Sequence, residues 1–266
     1  MTSFADKISL GCTNLMVGRL GISSSYGAPA SAYEEAFEKG CNYFTWGSFI
    51  KGPSKEMKKA IVNIKQTGKR DELVLAVYAY GHNRILNKAI VMKRLRSLGT
   101  EYADAMILGF HPGRPSGRIL EGAIKLKEKG IVRHIGLSGH NRKLFPDLAR
   151  DGVIDIFHFR YNAVNRGAEQ DIFPHIRDND RPGMVAYTAT RWGQLLDPKK
   201  MPPGEMPPSA ADCYRFVLSN PGVDICLTGT RNSDMMKENL KVLDMAPMSG
   251  EEMDRMRKIG DFIYNR

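Results

Sequence analysis

The stretch Ile225–Leu240, ICLTGTRNSDMMKENL, joins a short apolar segment to an amphipathic one. Its first three residues are typical of a buried strand, and a helix is predicted to begin at Ser233. A strand that turns directly into a helix presents free backbone N–H groups to an anion. In the turn, Gly229 allows close approach of the backbone, Thr230 adds a hydroxyl donor, and Arg231 adds a planar cation suited to phosphate. An ordinary turn with a chance arginine fits these residues equally well.

The same strand–helix alternation runs through the whole chain. Apolar strand segments are predicted at 20–22, 42–44, 73–78, 105–108, 134–137, 154–159, 184–187 and 225–227. Helices are predicted at 31–39, 54–64, 88–98, 120–129, 144–150, 169–177, 209–218, 233–240 and 251–264. Eight such units with continuously apolar strands are typical of a closed parallel barrel. An open doubly wound sheet competes, but it usually stops at about five or six strands.

The organisation predicted is therefore a single α/β domain over residues 1–266, a parallel (β/α)8 TIM barrel. Residues 7–19, with alternating apolar positions, are expected to form a small N-terminal hairpin. The loop at 195–208, rich in proline and methionine, is the only long segment without a predicted element.

Composition narrows the function classes. No apolar run approaches the ~20 residues that cross a bilayer, and the N-terminus lacks a signal-peptide core, so we expect a cytoplasmic protein without membrane contact. The four cysteines show no CxxC spacing, which argues against a metal site and for buried free thiols. The net charge is +10, but basic and acidic residues are interleaved and there is no basic–aromatic motif. We therefore expect a small-molecule substrate and no nucleic acid partner; the oligomeric state stays open.

In a barrel of this kind the chemistry lies at the carboxyl ends of the strands. The segments to inspect are 23–26, 45–49, 78–82, 109–111, 138–140, 158–162, 187–192 and 228–231. Several of these turns suit phosphate, and several carry aromatic side chains. Together they suggest a flat heteroaromatic ligand that bears phosphate.

Motifs along almost the whole chain resemble the aldo-keto reductases, in the family's order. They are LGCTNLMVGRLGIS, AFEKGCNYF, RSLGTEYADAMIL, GIVRHIGLSGHN, YNAVNR, VAYTAT and VLSNPGVDICLTGTRNSDMMKENL. The resemblance implies a TIM barrel whose N-terminal hairpin closes the bottom. It also implies an NADP(H)-linked oxidoreductase that acts on a small carbonyl or alcohol.

The resemblance assigns cofactor positions one by one. Ser138 falls where a serine binds the nicotinamide carboxamide, and Tyr187 where an aromatic ring stacks on the nicotinamide. His158 stands where the family has a glutamine, and a histidine can also hydrogen-bond an amide. Thr188 and Thr190 fall along the pyrophosphate path.

The adenine end of the cofactor is assigned in the same way. Gly229, Thr230 and Arg231 fall on the loop for the 2′-phosphate and adenine, and the pair Glu238–Asn239 matches the pair that holds the adenine. Ser24, in the loop after the first strand, is also expected to contact the cofactor.

The family's catalytic Asp–Tyr–Lys–His set is not retained. Its aspartate falls on Thr45, its lysine on Tyr78 and its histidine on Gly109, and its tyrosine falls on Phe49 or Ile50. A different acid is therefore required if the enzyme still transfers a hydride.

Three interpretations stay open. In the first, hydride transfer continues, with Tyr78 as the proton donor, His111 in place of the missing histidine, and Arg160 polarising a carbonyl or binding a carboxylate. In the second, the barrel runs a non-redox reaction such as isomerisation or elimination. In the third, it binds nucleotide or a partner without catalysis.

Overall fold

The computed structural model describes residues 3–23, 26–48, 54–109, 111–176 and 181–265. An antiparallel hairpin, β1 (Ile8–Ser9) and β2 (Met16–Val17), precedes a closed barrel of parallel strands. The barrel strands are β3 (Leu20–Ser23), β4 (Tyr43–Trp46), β5 (Val74–Ala79), β6 (Ala103–Leu108), β7 (Val132–Ser138), β8 (Ile156–Arg160), β9 (Gly183–Tyr187) and β10 (Ile225–Thr228). They lie in chain order around the barrel, and β10 pairs with β3 to close it. The (β/α)8 barrel and the hairpin are confirmed.

Helices lie between the strands, on the outside of the barrel. They are α1 (Ala30–Glu38), α2 (Lys55–Gln66), α3 (Arg84–Leu98), α4 (Gly117–Glu128), α5 (Phe145–Arg150), α6 (Ala168–Asp171), α7 (Ala210–Leu218), α8 (Ser233–Leu240) and α9 (Gly250–Tyr264). Their apolar faces and the outward faces of the strands form one core.

The hairpin closes the N-terminal end of the barrel. Leu10 and Val17 are fully buried and pack against the inward-facing side chains of the strands, among them Val185 and Ile225. The Cys12 N–H donates to the carbonyl of Arg181, just before β9, at 3.0 Å. The open end is therefore the one formed by the carboxyl ends of the strands.

A recurring side chain–backbone hydrogen bond joins the strands at the closed end of the barrel. A residue at or just before the start of every second strand accepts a backbone N–H from the preceding strand or the segment that leads into it. The bonds are Asn42 with Gly18 (3.0 Å), Asp104 with Leu75 (2.9 Å), Asp155 with Ile135 (2.8 Å) and Asp224 with Met184 (2.8 Å). Arg181 forms a double hydrogen bond to the Asp224 carboxylate at 2.6 and 2.7 Å. These side chains fix the relative position of neighbouring strands at the hairpin end of the barrel.

The boundaries differ from the prediction in several places. α1 begins at Ala30, one residue before the predicted start, with Pro29 at its N-cap. β4 extends to Trp46, because Thr45 and Trp46 pair with β5. The helix predicted at 169–177 is shorter: α6 ends at Asp171 and a 3-10 turn follows, in which Pro174 has no N–H to continue the helix.

Two further expectations concern whole-chain properties. Cys41, Cys213 and Cys226 are buried free thiols as expected, whereas Cys12 is exposed. None of the helices in the described part of the chain is long and apolar enough to cross a membrane.

Candidate functional site

A cavity of about 1030 Å³ lies at the carboxyl ends of the strands. The predicted site residues that line it are Tyr78, His111, Ser138, Arg160, Tyr187, Thr188, Thr190, Gly229, Arg231 and Asn239. The side chains of His158, Thr230 and Glu238 are not part of the lining, and Ser24 lies outside the described residues. The barrel thus brings most of the predicted residues into one pocket.

Tyr78 reaches this cavity from the inner face of β5. Its side chain is 7% exposed, and its ring stacks on that of Tyr80 with centroids 5.5 Å apart. Its hydroxyl lies 3.0 Å from Nδ1 of His158. Burial, and then the neighbouring tyrosines, raise the pKa of Tyr78 well above its ordinary value. Tyr78 is therefore a neutral hydroxyl at physiological pH.

His158 lies beneath the cavity and is fully buried. Its Nε2 is 2.8 Å from the hydroxyl of Tyr43, which comes from the opposite side of the barrel, and its Nδ1 faces Tyr78. Burial lowers the pKa of His158 to about 3 and raises that of Tyr43 above its ordinary value. Both ring nitrogens are thus occupied by tyrosines, and the imidazole is neutral.

The positions that the resemblance assigns to the catalytic set hold other groups. A Cβ added at Gly109, which the resemblance assigns to the histidine, would lie 2.2 Å from the ring of Tyr80. Tyr80 therefore occupies the space above Gly109. At the aspartate position the hydroxyl of Thr45 donates to the Ile22 carbonyl at 3.4 Å, and Phe49 and Ile50 lie outside the described residues.

Ser138 and Tyr187 lie together at the ends of β7 and β9. Burial raises the pKa of Tyr187, while its hydrogen bond with Ser138 acts in the opposite direction. The Tyr187 hydroxyl also lies 3.4 Å from the Gly139 carbonyl and 3.3 Å from Nδ1 of His140. These contacts fix the ring at the cavity wall, where a planar ligand can stack on it.

Arg160 ends β8 beside this pair and is exposed to the cavity. It makes no hydrogen bond or ion pair with the part of the chain that the structure describes. Burial, and then the charge of Arg160, lower the pKa of His140. The guanidinium is available to an anionic or carbonyl group of a ligand.

The loop between β10 and α8 combines a close approach with a free cation. A Cβ at Gly229 would lie 2.3 Å from the ring of Tyr26, so glycine lets that ring lie against the loop. Arg231 is exposed, lines the cavity and has no partner among the described residues. Behind them the Thr230 hydroxyl is buried and has no hydrogen-bond partner in the same residues. The Asn232 side chain caps α8 by accepting the Met235 N–H at 2.8 Å.

Asn239 and Glu238 have different surroundings. The Asn239 amide is buried and donates to the hydroxyls of Thr228 at 2.8 Å and Tyr214 at 3.4 Å. Tyr214 reaches the cavity from α7. Glu238 instead forms an ion pair with Lys241 on the outer side of α8.

The loop after β9 has an unusual backbone. Thr188, Arg191 and Trp192 have φ angles of 63°, 48° and 58°, and Gly193 follows at 85°. Left-handed conformations cost energy for residues with a Cβ, and they cluster at ligand-binding segments. Trp192 is half exposed and lies 6.5 Å from Tyr26, centroid to centroid, so that both rings form the cavity wall.

His111 lies at the rim after β6. Its Nε2 is buried and has no hydrogen-bond partner in the described ranges. Burial, and then His82, lower the pKa of His111, so its imidazole is neutral. It can accept or donate one hydrogen bond to a ligand.

The lining has a clear charge. Arg160 and Arg231 are its charged side chains, and within the described ranges no carboxylate lines the cavity. An anionic ligand is therefore favoured at this site. Three tyrosines of the site, Tyr43, Tyr80 and Tyr214, were not singled out from the sequence. For Tyr43, a polar aromatic residue at an inward strand position was the available signal.

Comparisons with known proteins agree with this architecture. The sequence model of the aldo/keto reductase family matches residues 7–209, a range that ends before β10. An aldo-keto reductase from Bacillus halodurans is similar in structure. Its holo form has a TM-score of 0.79 at 20% identity over 96% of each chain. Its apo form has a TM-score of 0.78 at 20% identity, covering 96% of this chain and 95% of that one.

At that identity the structural likeness concerns the fold. A search of curated proteins found none that matches the sequence. The family match spans most of the chain, and the barrel and the N-terminal hairpin agree with it. The chain therefore belongs to the aldo/keto reductase family, whose members are oxidoreductases that use a nicotinamide cofactor.

Proposed function

We propose that this protein is an NADP(H)-linked oxidoreductase that acts on a small carbonyl or alcohol, with Tyr78 as the proton donor. The observation that carries the proposal is the place of Tyr78, whose side chain lines the same cavity as Ser138 and Tyr187 and whose hydroxyl is hydrogen-bonded to His158. The acid and the two residues assigned to the nicotinamide thus share one pocket.

The residues present fit such a cofactor. Gly229 and Arg231 line the cavity from the loop after β10, as a close backbone approach and a cation without a partner among the described residues. Tyr187 and Ser138 line it from the ends of β9 and β7, as a fixed ring and a hydroxyl. The Thr230 hydroxyl, buried and without a hydrogen-bond partner in the described ranges, supplies a further donor beside the proposed phosphate loop. A 2′-phosphate favours NADP(H) over NAD(H) through Arg231.

The chain's own residues have distinct tasks in the proposed reaction. When bound, NADPH would supply a hydride to the carbonyl carbon of the substrate. Tyr78 gives its proton to the carbonyl oxygen. His111 orients that oxygen through one hydrogen bond, since its imidazole is neutral. Tyr80 and Trp192 exclude water as aromatic walls.

Arg160 bears on the choice of substrate. It is unpaired among the described residues and lies beside His140 and Tyr187. A carbonyl compound that carries a carboxylate gains a charge-assisted hydrogen bond there. We expect Arg160→Gln to raise the KM for such compounds and to leave the KM for neutral carbonyl compounds unchanged.

A titration tests the cofactor. NADPH binding is followed by its fluorescence, and Arg231→Ala is expected to weaken it by about tenfold or more, because one charge-assisted contact is lost. NADH affinity should change little. Lys237→Ala is the control, since Lys237 is exposed on α8, the helix that follows the Arg231 loop, and lies outside the cavity lining. Equal NADPH affinity of wild type and Arg231→Ala contradicts the assignment of Arg231.

A carbonyl screen tests the acid. With NADPH as donor, Tyr78→Phe is expected to lower kcat by about 100- to 10,000-fold, because it removes only the hydroxyl. Tyr80→Phe is the matched control, since it removes the hydroxyl from the ring that stacks on Tyr78. If Tyr78→Phe keeps full activity, Tyr78 is not the acid. If wild type binds NADPH and reduces no carbonyl, a non-redox enzyme or a nucleotide-binding protein without catalysis replaces the proposal.

A further inference from the structure

Three side chains form a hydrogen-bonded chain across the inside of the barrel. The Tyr43 hydroxyl is 2.8 Å from Nε2 of His158, and Nδ1 of His158 is 3.0 Å from the Tyr78 hydroxyl. Tyr43 and His158 are fully buried and do not line the cavity, whereas Tyr78 does. This hydrogen-bonded series of side chains therefore has one end buried at Tyr43 and the other end at the cavity.

The number of protons restricts how this chain can be arranged. Burial keeps the His158 imidazole neutral, so it has one N–H donor and one acceptor nitrogen. One tyrosine must donate to the ring, and the other must accept from it. Two arrangements are possible, and they differ in which ring nitrogen carries the proton.

The surroundings of Tyr43 distinguish the two. If Nε2 carries the proton, the Tyr43 oxygen accepts and its own hydrogen needs another acceptor. His158 is the hydrogen-bond partner of Tyr43 among the described residues, and no second acceptor is present there. A buried donor without a partner carries the full cost of desolvation, which disfavours this arrangement by about tenfold or more.

The other arrangement satisfies every group. Tyr43 donates to Nε2, the Nδ1–H of His158 donates to the oxygen of Tyr78, and the hydrogen of Tyr78 faces the cavity. We infer that Tyr43 and His158 are positioning residues that hold Tyr78 as a hydrogen-bond donor towards the cavity ligand. This inference rests on the proposed function, in which Tyr78 is the acid.

The consequence for the reaction can be written with its electrons. As the hydride reaches the carbonyl carbon, the C=O π electrons become a lone pair on oxygen, which forms a bond to the Tyr78 proton. The O–H electrons stay on Tyr78 as a phenolate, and the Nδ1–H of His158 donates to that phenolate. After the alcohol leaves, a proton from the solvent returns to Tyr78. The hydride would be supplied by NADPH bound as in the proposed function, so that NADPH would be the reductant.

The tautomer can be measured without cofactor or activity. Nitrogen-15 NMR of histidine-labelled protein distinguishes a protonated Nδ1 from a protonated Nε2, and the spectrum of His158→Gln identifies the His158 signals. We expect the Nδ1–H form to dominate in wild type. Tyr43→Phe removes the donor to Nε2, so a mixture of both tautomers is expected. A dominant Nε2–H form in wild type overturns the inference.

Kinetics supply a second measurement. Tyr43→Phe is expected to lower kcat by about tenfold to a hundredfold while the NADPH Kd stays unchanged, because the substitution disturbs only the direction of the Tyr78 proton. Tyr33→Phe, a buried tyrosine in α1, is the control. His158→Gln keeps one donor and one acceptor and should retain more activity than His158→Leu. Equal kcat for wild type, Tyr43→Phe and His158→Leu contradicts the inference.

The two hypotheses fail in different ways. A dominant Nδ1–H form together with a fully active Tyr78→Phe variant removes Tyr78 as the acid, and with it the catalytic role of the chain. A dominant Nε2–H form together with an inactive Tyr78→Phe variant removes only the positioning role. The wild-type spectrum decides the tautomer even if a variant fails to fold.

Discussion

Tyr78 stands where the resemblance places a lysine, and its environment sets the pH at which it can act. Since burial raises its pKa well above the ordinary value, the protonated acid persists through neutral pH and is lost only as the pH rises through that high pKa. We predict that kcat/KM for carbonyl reduction stays constant between about pH 6.5 and 9.

An acid at His111 has the opposite signature. Its pKa lies below the ordinary value, so the protonated form is already scarce at pH 7 and activity would fall as the pH rises. The profile of His111→Gln serves as the control. A decline from pH 6.5 upwards in wild type that vanishes in His111→Gln would assign the acid to His111.

His158 links stability to pH. Its pKa is about 3 in the folded protein and ~6.5 in an unfolded chain, so the unfolded state binds the proton between those values. The contribution of the neutral His158 to the free energy of unfolding is therefore fully present above pH ~6.5 and is lost as the pH falls. Below pH 6.5 we predict that the free energy of unfolding falls more steeply with pH in wild type than in His158→Gln. The difference between the two slopes is expected to reach at most about 1.4 kcal/mol per pH unit. Urea denaturation at several pH values measures the difference, and parallel curves contradict it.

At this scale the sequence indicated most of the strand-end residues that line the cavity, and His158 beneath it, but not Tyr43, Tyr80 or Tyr214. Tyr78, Ser138 and Tyr187 follow directly from strand ends. Tyr43 acts from within a strand on a partner across the barrel, and Tyr214 acts from a helix. Such contacts depend on barrel closure and helix docking, which no local pattern encodes.

The loop after β9 combines left-handed backbone angles with side chains that line the cavity. Trp192 adopts φ 58° and is 54% exposed, so its removal costs little burial and relieves a left-handed conformation. We predict that Trp192→Gly changes the free energy of unfolding by less than about 1 kcal/mol and weakens NADPH binding. Urea denaturation and NADPH titration measure the two effects.

Trp46 provides the contrast. It is 2% exposed, and Trp46→Ala should cost about 3–5 kcal/mol. Equal destabilisation by both substitutions would show that Trp192 stabilises the fold rather than the pocket.

Element types were predictable from apolar runs, and most element ends were not. β4 continues through Thr45 and Trp46 because β5 supplies hydrogen-bond partners, although Thr-Trp-Gly is locally typical of a loop. α6 ends early because Pro174 removes a donor. Hydrogen bonding between strands and one missing N–H donor thus decide where these two elements end, against the local secondary-structure propensity of the sequence.

In the molecule as a whole, the polar links between strands and the cavity lie at opposite ends of the barrel axis. The polar side chains that join neighbouring strands lie at the hairpin end, and the cavity lies at the other. We predict that Asp224→Ala lowers the free energy of unfolding by about 2–5 kcal/mol, because Arg181 and the Met184 N–H lose their acceptor. NADPH affinity of the folded fraction should not change. Glu101→Ala, at an exposed position, is the control for urea denaturation, and a weakened NADPH Kd in Asp224→Ala would contradict the separation.

The barrel itself was predictable because eight repeats of one local pattern have few ways to close. The charge of the cavity was not, since the net charge of +10 is distributed over helix surfaces and only the folded chain shows which arginines line the cavity.

The ring of Tyr80 lies where any side chain at position 109 would begin. This has a consequence for the order in which substitutions can accumulate. Gly109→His would place there the residue that the resemblance assigns to this position, and its Cβ requires the Tyr80 ring to move. Tyr80→Gly removes that ring and leaves space for a side chain at position 109. The two positions are therefore coupled, because the effect of a substitution at position 109 depends on the residue at position 80.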